Sequence, residues 1–135
     1  MEKLFNWITV LIGLIGGVSV KLLGAWDTML MVFIAVMVID YVTGIIKGIY
    51  NRELSSQTGW KGLLKKVATL CIVIVANLLE KLTGGNIGIR DIVIMFYIAN
   101  EGLSILENVA AMGNIIPQPL KDVLLQLREK NGGKS

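Results

Sequence analysis

Four stretches of this chain are almost free of charge, and they constrain its fold more than any other feature. Leu4–Val20 lies between Lys3 and Lys21, with Asn6, Thr9 and Ser19 its only polar residues. Thr28–Ile46 follows between Asp27 and Lys47 and contains one acid, Asp40. Val67–Leu79 sits between Lys66 and Glu80, and Ile92–Leu106 between Asp91 and Glu107, the last enclosing Asn100, Glu101 and Ser104. A helix rises about 1.5 Å per residue, so crossing a bilayer core of ~30 Å takes about 20 residues. The first two runs are long enough as they stand. The other two become so with their semi-polar flanks. The expected spans are about 4–23, 28–47, 60–82 and 92–112.

In 135 residues such runs cannot be buried together in one small soluble core. The hydrophobic share is 54%, only 17% of residues are charged, and the mean hydropathy is +0.69. The fold class expected is an all-α membrane protein with four transmembrane helices and a C-terminal amphipathic helix. A three-span arrangement, with the first helix lying in the interface, stays open. The first run could pass for a signal peptide, but Val18-Ser19-Val20-Lys21 is a poor cleavage site, so the helix is expected to be retained. Residues 1–116 form the expected transmembrane domain and 117–135 a cytoplasmic amphipathic tail.

Charge sets the expected orientation. Lys3, then Lys47, Arg52, Lys61, Lys65 and Lys66 around the central loop, and Lys121, Arg128, Lys130 and Lys134 in the tail make up ten of the 13 basic residues. Lys21, Lys81 and Arg90 remain for the other side. The positive-inside rule then places both termini and the central loop in the cytoplasm. The connections are short, so consecutive helices are expected to be antiparallel neighbours.

Two segments read as amphipathic. Trp60, Leu63, Leu64 and Val67 fall at i, i+3, i+4, i+7, with Lys61 and Lys65 away from that stripe. Ser55 or Ser56 is the expected N-cap, and Gly84 the left-handed residue after the helix end. Trp60, with Lys61, Lys65 and Lys66, is the expected interfacial anchor. In the tail, Leu120, Val123, Leu124 and Leu127 make a second stripe. Pro119 suits its first turn and Gly132-Gly133 its stop. That tail could lie on lipid, pack on a subunit, or recruit a partner.

Asp40 stands about 18 Å along the second helix from Thr28, and Glu101 about 15 Å along the fourth from Asp91. Near mid-membrane a lone carboxylate costs roughly 2.5–3.5 kcal/mol, so each must be protonated, paired or facing water. Asp40, Thr43 and Lys47 share one face; Glu101, Ser104 and Asn108 share another, with Asn100 beside them. Such stripes are either hydrogen-bonded contacts in a closed bundle or a lining exposed to water. Spacing does not choose between them. Gly13 and Gly17 in the first helix, and Gly44 and Gly48 in the second, make small-residue faces suited to close helix packing. Cys71 lies in the third apolar run, where packing is the expected role.

For chemistry the inventory is thin. There is no histidine and one cysteine, which removes His-based triads, His/Cys zinc sites and any intrachain disulfide. No nucleophile and base stand together, so neither an enzyme, a cofactor nor a metal is expected. The pI of about 9.1 reflects loop lysines rather than a nucleic-acid-binding face. No small-molecule substrate is indicated.

Asp40-Tyr41-Val42-Thr43-Gly44, then Lys47, Leu54-Ser55-Ser56, Gly59, Gly62 and Lys65-Lys66 form a spaced series. Tyr97 to Glu101, Leu103 to Asn108, Gly113, Pro117 and Pro119 continue it. Over about Thr28 to Leu125 this series resembles the phage-lysis and toxin-secretion holin family; the first helix matches only in being apolar. The resemblance implies a protein of the bacterial cytoplasmic membrane whose partners are copies of itself and the lipid bilayer. It would oligomerise into lesions that release an endolysin or a toxin as cargo. It carries over no catalytic residues, and implies structural or lumen-facing roles for Asp40, Gly44, Glu101 and Asn108. The residues alone also admit a proton-coupled four-helix transporter using Glu101 or Asp40.

Overall fold

The computed structural model describes residues 1–132; Gly133 and Lys134, which enter the expected tail stop and the charge count, lie outside the described residues. The described chain is all helical: α1 Glu2–Leu23, α2 Thr28–Tyr50, α3 Ser56–Leu82, α4 Ile89–Ala110 and α5 Gln118–Gly132. The first four are long and apolar enough to cross a membrane, by length and composition.

Local chemistry sets the boundaries. Asp27 caps α2, its carboxylate accepting from Leu30 N at 2.9 Å. Ser55, one of the two expected caps, caps α3 by accepting from Thr58 N, so the helix begins one turn before the expected span at Trp60. Gly84 and Gly85 (φ +80° and +79°) turn the chain after α3, a backbone conformation that suits glycine. The start of α4 has no cap of its own. Glu80, late in α3, accepts from Gly88 N and Ile89 N at 2.9 and 3.0 Å, so α4 opens three residues before the expected Ile92.

α2, α3 and α4 make the bundle, and the closest-packed pair is α2 with α4. α3 runs antiparallel to both: Tyr41 lies against Gly59 and Gly62, and Val73 packs with Phe33 in the core. The apolar core is Leu30, Phe33, Met37, Val73 and Ile94, with Leu23, Leu70, Tyr97 and Ile98 around it. Apart from Leu23, at the end of α1, these residues come from the first half of α2, the second half of α3 and the first half of α4. The core therefore fills only the end of the bundle nearest the α1–α2 and α3–α4 turns.

α1 departs from the expected neighbour rule. Its body packs along neither α2 nor α4, and it meets the bundle only near its own C-terminal end, along α3, at Arg90 of α4 and through Leu23 against the apolar core. Residues 1–18 are all exposed. The short turn at Gly24 (φ +86°) swings α1 clear of α2, and polar side chains from α3 and α4 hold its last turn. α5 doubles back antiparallel along α4, with Leu124 against Gly102 and Gly132 against Phe96.

Candidate intramembrane polar site

Moving from the apolar core toward the α2–α3 loop, the bundle interior becomes polar. Asp40 is ten residues before the end of α2, and Lys66 is ten residues after the start of α3. Each is thus about 15 Å from the loop, and the helical hairpin brings them level. Lys66 Nζ donates to Asp40 Oδ2 at 2.7 Å and to Glu101 Oε2, on α4, at 2.6 Å. All three side chains are 10–15% exposed. One ammonium therefore joins the three helices.

Asn108 extends the site along α4. Its amide donates to Asp40 Oδ1 and O at 3.0 and 3.2 Å, and to Thr43 Oγ1 at 3.0 Å. Thr43 in turn donates to Ile39 O and Asp40 O, as a hydroxyl on a helix commonly does. Tyr41 OH donates to Gly59 O at 3.3 Å, tying α2 to α3 nearer the loop. Among the described residues no buried side-chain polar atom lacks a partner. A cavity of about 710 Å³ adjoins the cluster, lined by Asp40, Lys66, Glu101, Asn100, Ser104 and Asn108. Lys47, Glu53, Ser55 and Lys65 line it too, so it extends to the α2–α3 loop.

The six polar residues expected on stripes, Asp40, Thr43, Asn100, Glu101, Ser104 and Asn108, thus line or neighbour one space. Lys66 differs from its expected place. Its position beside Lys65 groups it with the headgroup lysines, yet its ammonium is turned inward onto two carboxylates, while Lys61 and Lys65 are exposed and Trp60 is 61% exposed. Lys65 and Lys66 are about 100° apart on the helix, so Lys66 reaches the two carboxylates while Lys65 borders the cavity from an exposed position. The signal in the sequence that points to Lys66 is equal depth: two buried acids need a cation, and Lys66 lies as far from the loop as Asp40.

The glycines divide. A Cβ on Gly48 would meet Leu54 at 3.2 Å, and one on Gly44 would meet Asn108 at 3.8 Å. Gly13 and Gly17 have nothing within 4 Å, so within one chain their face is unoccupied. Cys71 is exposed on the outside of α3 rather than in the packed interior.

A second polar site, at the opposite end, has no counterpart among the sequence expectations. Arg90, 8% exposed, donates through Nε to Leu23 O at 2.8 Å and through Nη2 to Ala25 O at 3.0 Å. Its Nη1 reaches Asp27 Oδ2 at 3.0 Å. Asn77 donates to Leu22 O and Lys21 O, and Lys81 to Lys21 O. These donors satisfy the carbonyls that the end of α1 leaves open. The Arg90 guanidinium holds the Asp27 carboxyl below the usual carboxylate range. A Cβ on Gly24 would stand 2.6 Å from Arg90 Nε, so this turn needs glycine for space as well as for φ. In the sequence Arg90 reads only as an outer-side charge.

Among the described residues no group of His, Cys, Asp and Glu could hold a metal ion. The chain is similar to several bacterial and phage proteins. It is 41% identical over 131 residues to a 14.9 kDa protein of the nagH 3′ region of Clostridium perfringens, covering 96% of this chain and 99% of the other. It is 40% identical over 117 residues to the Listeria innocua protein Lin0175, covering 87% and 84%. A third relative, from Bacillus phage phi105, bears the name "Probable holin"; it is 39% identical over 98 residues, 73% of each chain. No solved structure matches. The bacteriophage holin family model matches residues 17–129, which takes in α2, α3 and α4 and most of α5. The chain belongs to the bacteriophage holin family.

Proposed function

We propose that this protein accumulates in a bacterial cytoplasmic membrane, self-associates, and opens lesions through which an endolysin or a toxin passes. The observation that carries this reading is the family match over a bundle of membrane-spanning length with charges buried inside it. Both termini and the α2–α3 loop stand in the cytoplasm, on the strength of the basic residues gathered at that end. α1, exposed along residues 1–18 and carrying Gly13 and Gly17, is the arm that meets other copies or lipid.

In this reading the Lys66–Asp40–Glu101 cluster is a tie that holds α2, α3 and α4 as one unit. Its buried polar atoms find hydrogen-bond partners within the bundle, beside a cavity that extends to the α2–α3 loop. No step of bond-making chemistry enters. The test is to induce the protein alone in cells and follow membrane potential. Loss of potential after a delay, with no other phage product present, is the expected result. Accumulation in the membrane with the potential intact would refute lesion formation.

A further inference from the structure

The depth of α5 does not fit a tail lying on the membrane surface. Gly102, opposite Leu124, is eight residues from the end of α4, and Phe96, opposite Gly132, is fourteen residues from it. At about 1.5 Å per residue, docked α5 reaches about 12 Å and then about 21 Å back along a helix of membrane-spanning length. The face of α5 turned to α4 holds Leu124, Leu127, Arg128 and Asn131, all partly buried. The opposite ridge is Asp122, Gln126 and Glu129, at i, i+4 and i+7, with Lys130 beside it, and all four are exposed. None of the ion pairs among the described residues involves α5, and its side-chain hydrogen bonds stay within α5.

The contrast with the cluster around Lys66 decides the reading. There, one ammonium at mid-span bonds two carboxylates. On α5, charges at similar depth point away from the bundle with nothing to meet. In hydrocarbon each would carry the insertion penalty that Asp40 avoids by pairing. The ridge must therefore meet water when α5 is docked.

We infer that docked α5, through its Asp122–Gln126–Glu129 ridge, forms part of the water-facing wall of the assembled lesion. This deepens the lesion-forming reading and rests on it. In a dispersed chain surrounded by lipid, docking exposes the ridge to hydrocarbon and α5 stays at the cytoplasmic surface. In a ring of copies that encloses water, the same docking becomes favourable. α5 thereby links assembly to opening. Gly102 lets Leu124 lie close against α4, because a Cβ there would stand 2.8 Å from Leu124 Cδ2 and a larger side chain would push the leucine away.

The test uses the full chain with Cys71→Ala, so that introduced cysteines are the only thiols. Leu124 Cγ lies 3.5 Å from the Cβ position of residue 102, so Gly102→Cys with Leu124→Cys is placed for a disulfide when α5 is docked. Under mild oxidant, the bond is expected to form only after cells lose membrane potential. Depolarised cells without it overturn the proposal. A chain that never depolarises cells fails the lesion-forming reading instead, which keeps the two failures apart. Separately, Gln126→Cys in planar bilayers is expected to lose conductance when a charged, water-soluble thiol reagent is added. Unchanged conductance would mean that the ridge meets lipid or another copy, and would also overturn the proposal. Gly102→Leu is expected to abolish lesions while the protein still accumulates in the membrane, and Leu124→Ala in the same chain to restore them. Normal lesions from Gly102→Leu would overturn it as well.

Discussion

The two ends of the three-helix bundle are held by opposite means. Toward the α1–α2 turn, Leu30, Phe33, Val73 and Ile94 are fully buried and interlock by shape. Toward the α2–α3 loop, one lysine binds two acids and an asparagine joins Asp40 to Thr43, beside a cavity of about 710 Å³. Lipid tails are as apolar as Leu, so the packed end gains little from excluding lipid and depends on close fit. The polar end has no such competitor within hydrocarbon. Close fit leaves little free space, whereas the ion-paired end borders a cavity.

The largest expected effect strikes the polar end. Lys66→Met leaves two buried carboxylates without a cation and should cost about 3–5 kcal/mol, read as lost accumulation and lower thermal stability in detergent. Adding Asp40→Asn and Glu101→Gln to that variant should recover most of the loss. If Lys66→Met is silent, the cluster is not what holds this end. Next, Phe33→Ala at the packed end should cost about 3 kcal/mol with no rescue by polar substitutions. An equal response of both variants to cluster neutralisation would erase the contrast between the ends.

Smaller effects probe the clamp on α1. Arg90→Met leaves the Leu23 and Ala25 carbonyls without their donor and should cost about 2 kcal/mol, read in the same thermal assay. Asp27→Asn should cost only about 0.5–1 kcal/mol, because that side chain is 44% exposed. Arg90 lowers the Asp27 pKa, so this contribution is complete above the ordinary value of 3.8 and fades as pH falls through the lowered one. Thermal stability of the parent should accordingly drop more steeply in acid than that of Asp27→Asn. Smallest of all, Gly13→Ala meets nothing within 4 Å and should leave monomer stability unchanged. Any change it makes to lesion timing would then report contact between copies.

Much of this architecture is legible in the order of residues. The four charge-free runs can be recognised because lipid demands length and apolarity over every turn of a helix, and those are local properties. Ser55 and Gly84 are legible as caps for the same reason, since a hydroxyl or a left-handed glycine acts on its own chain neighbours. The polar stripes are visible as i, i+3, i+7 spacings. Whether their groups meet one another is not, because it depends on helices that are distant in sequence.

By itself, then, the sequence determined the number and place of the helices, the caps of α3, and the gathering of basic residues at one end. Only the tertiary structure decided the rest. It turned Lys66 inward, made Arg90 a cap for a helix far away in the chain, separated α1 from α2, and folded α5 back along α4. Each of these depends on which side chain can reach a partner across a helix interface. That is a matter of relative depth and rotation, and neither quantity is carried by one helix alone.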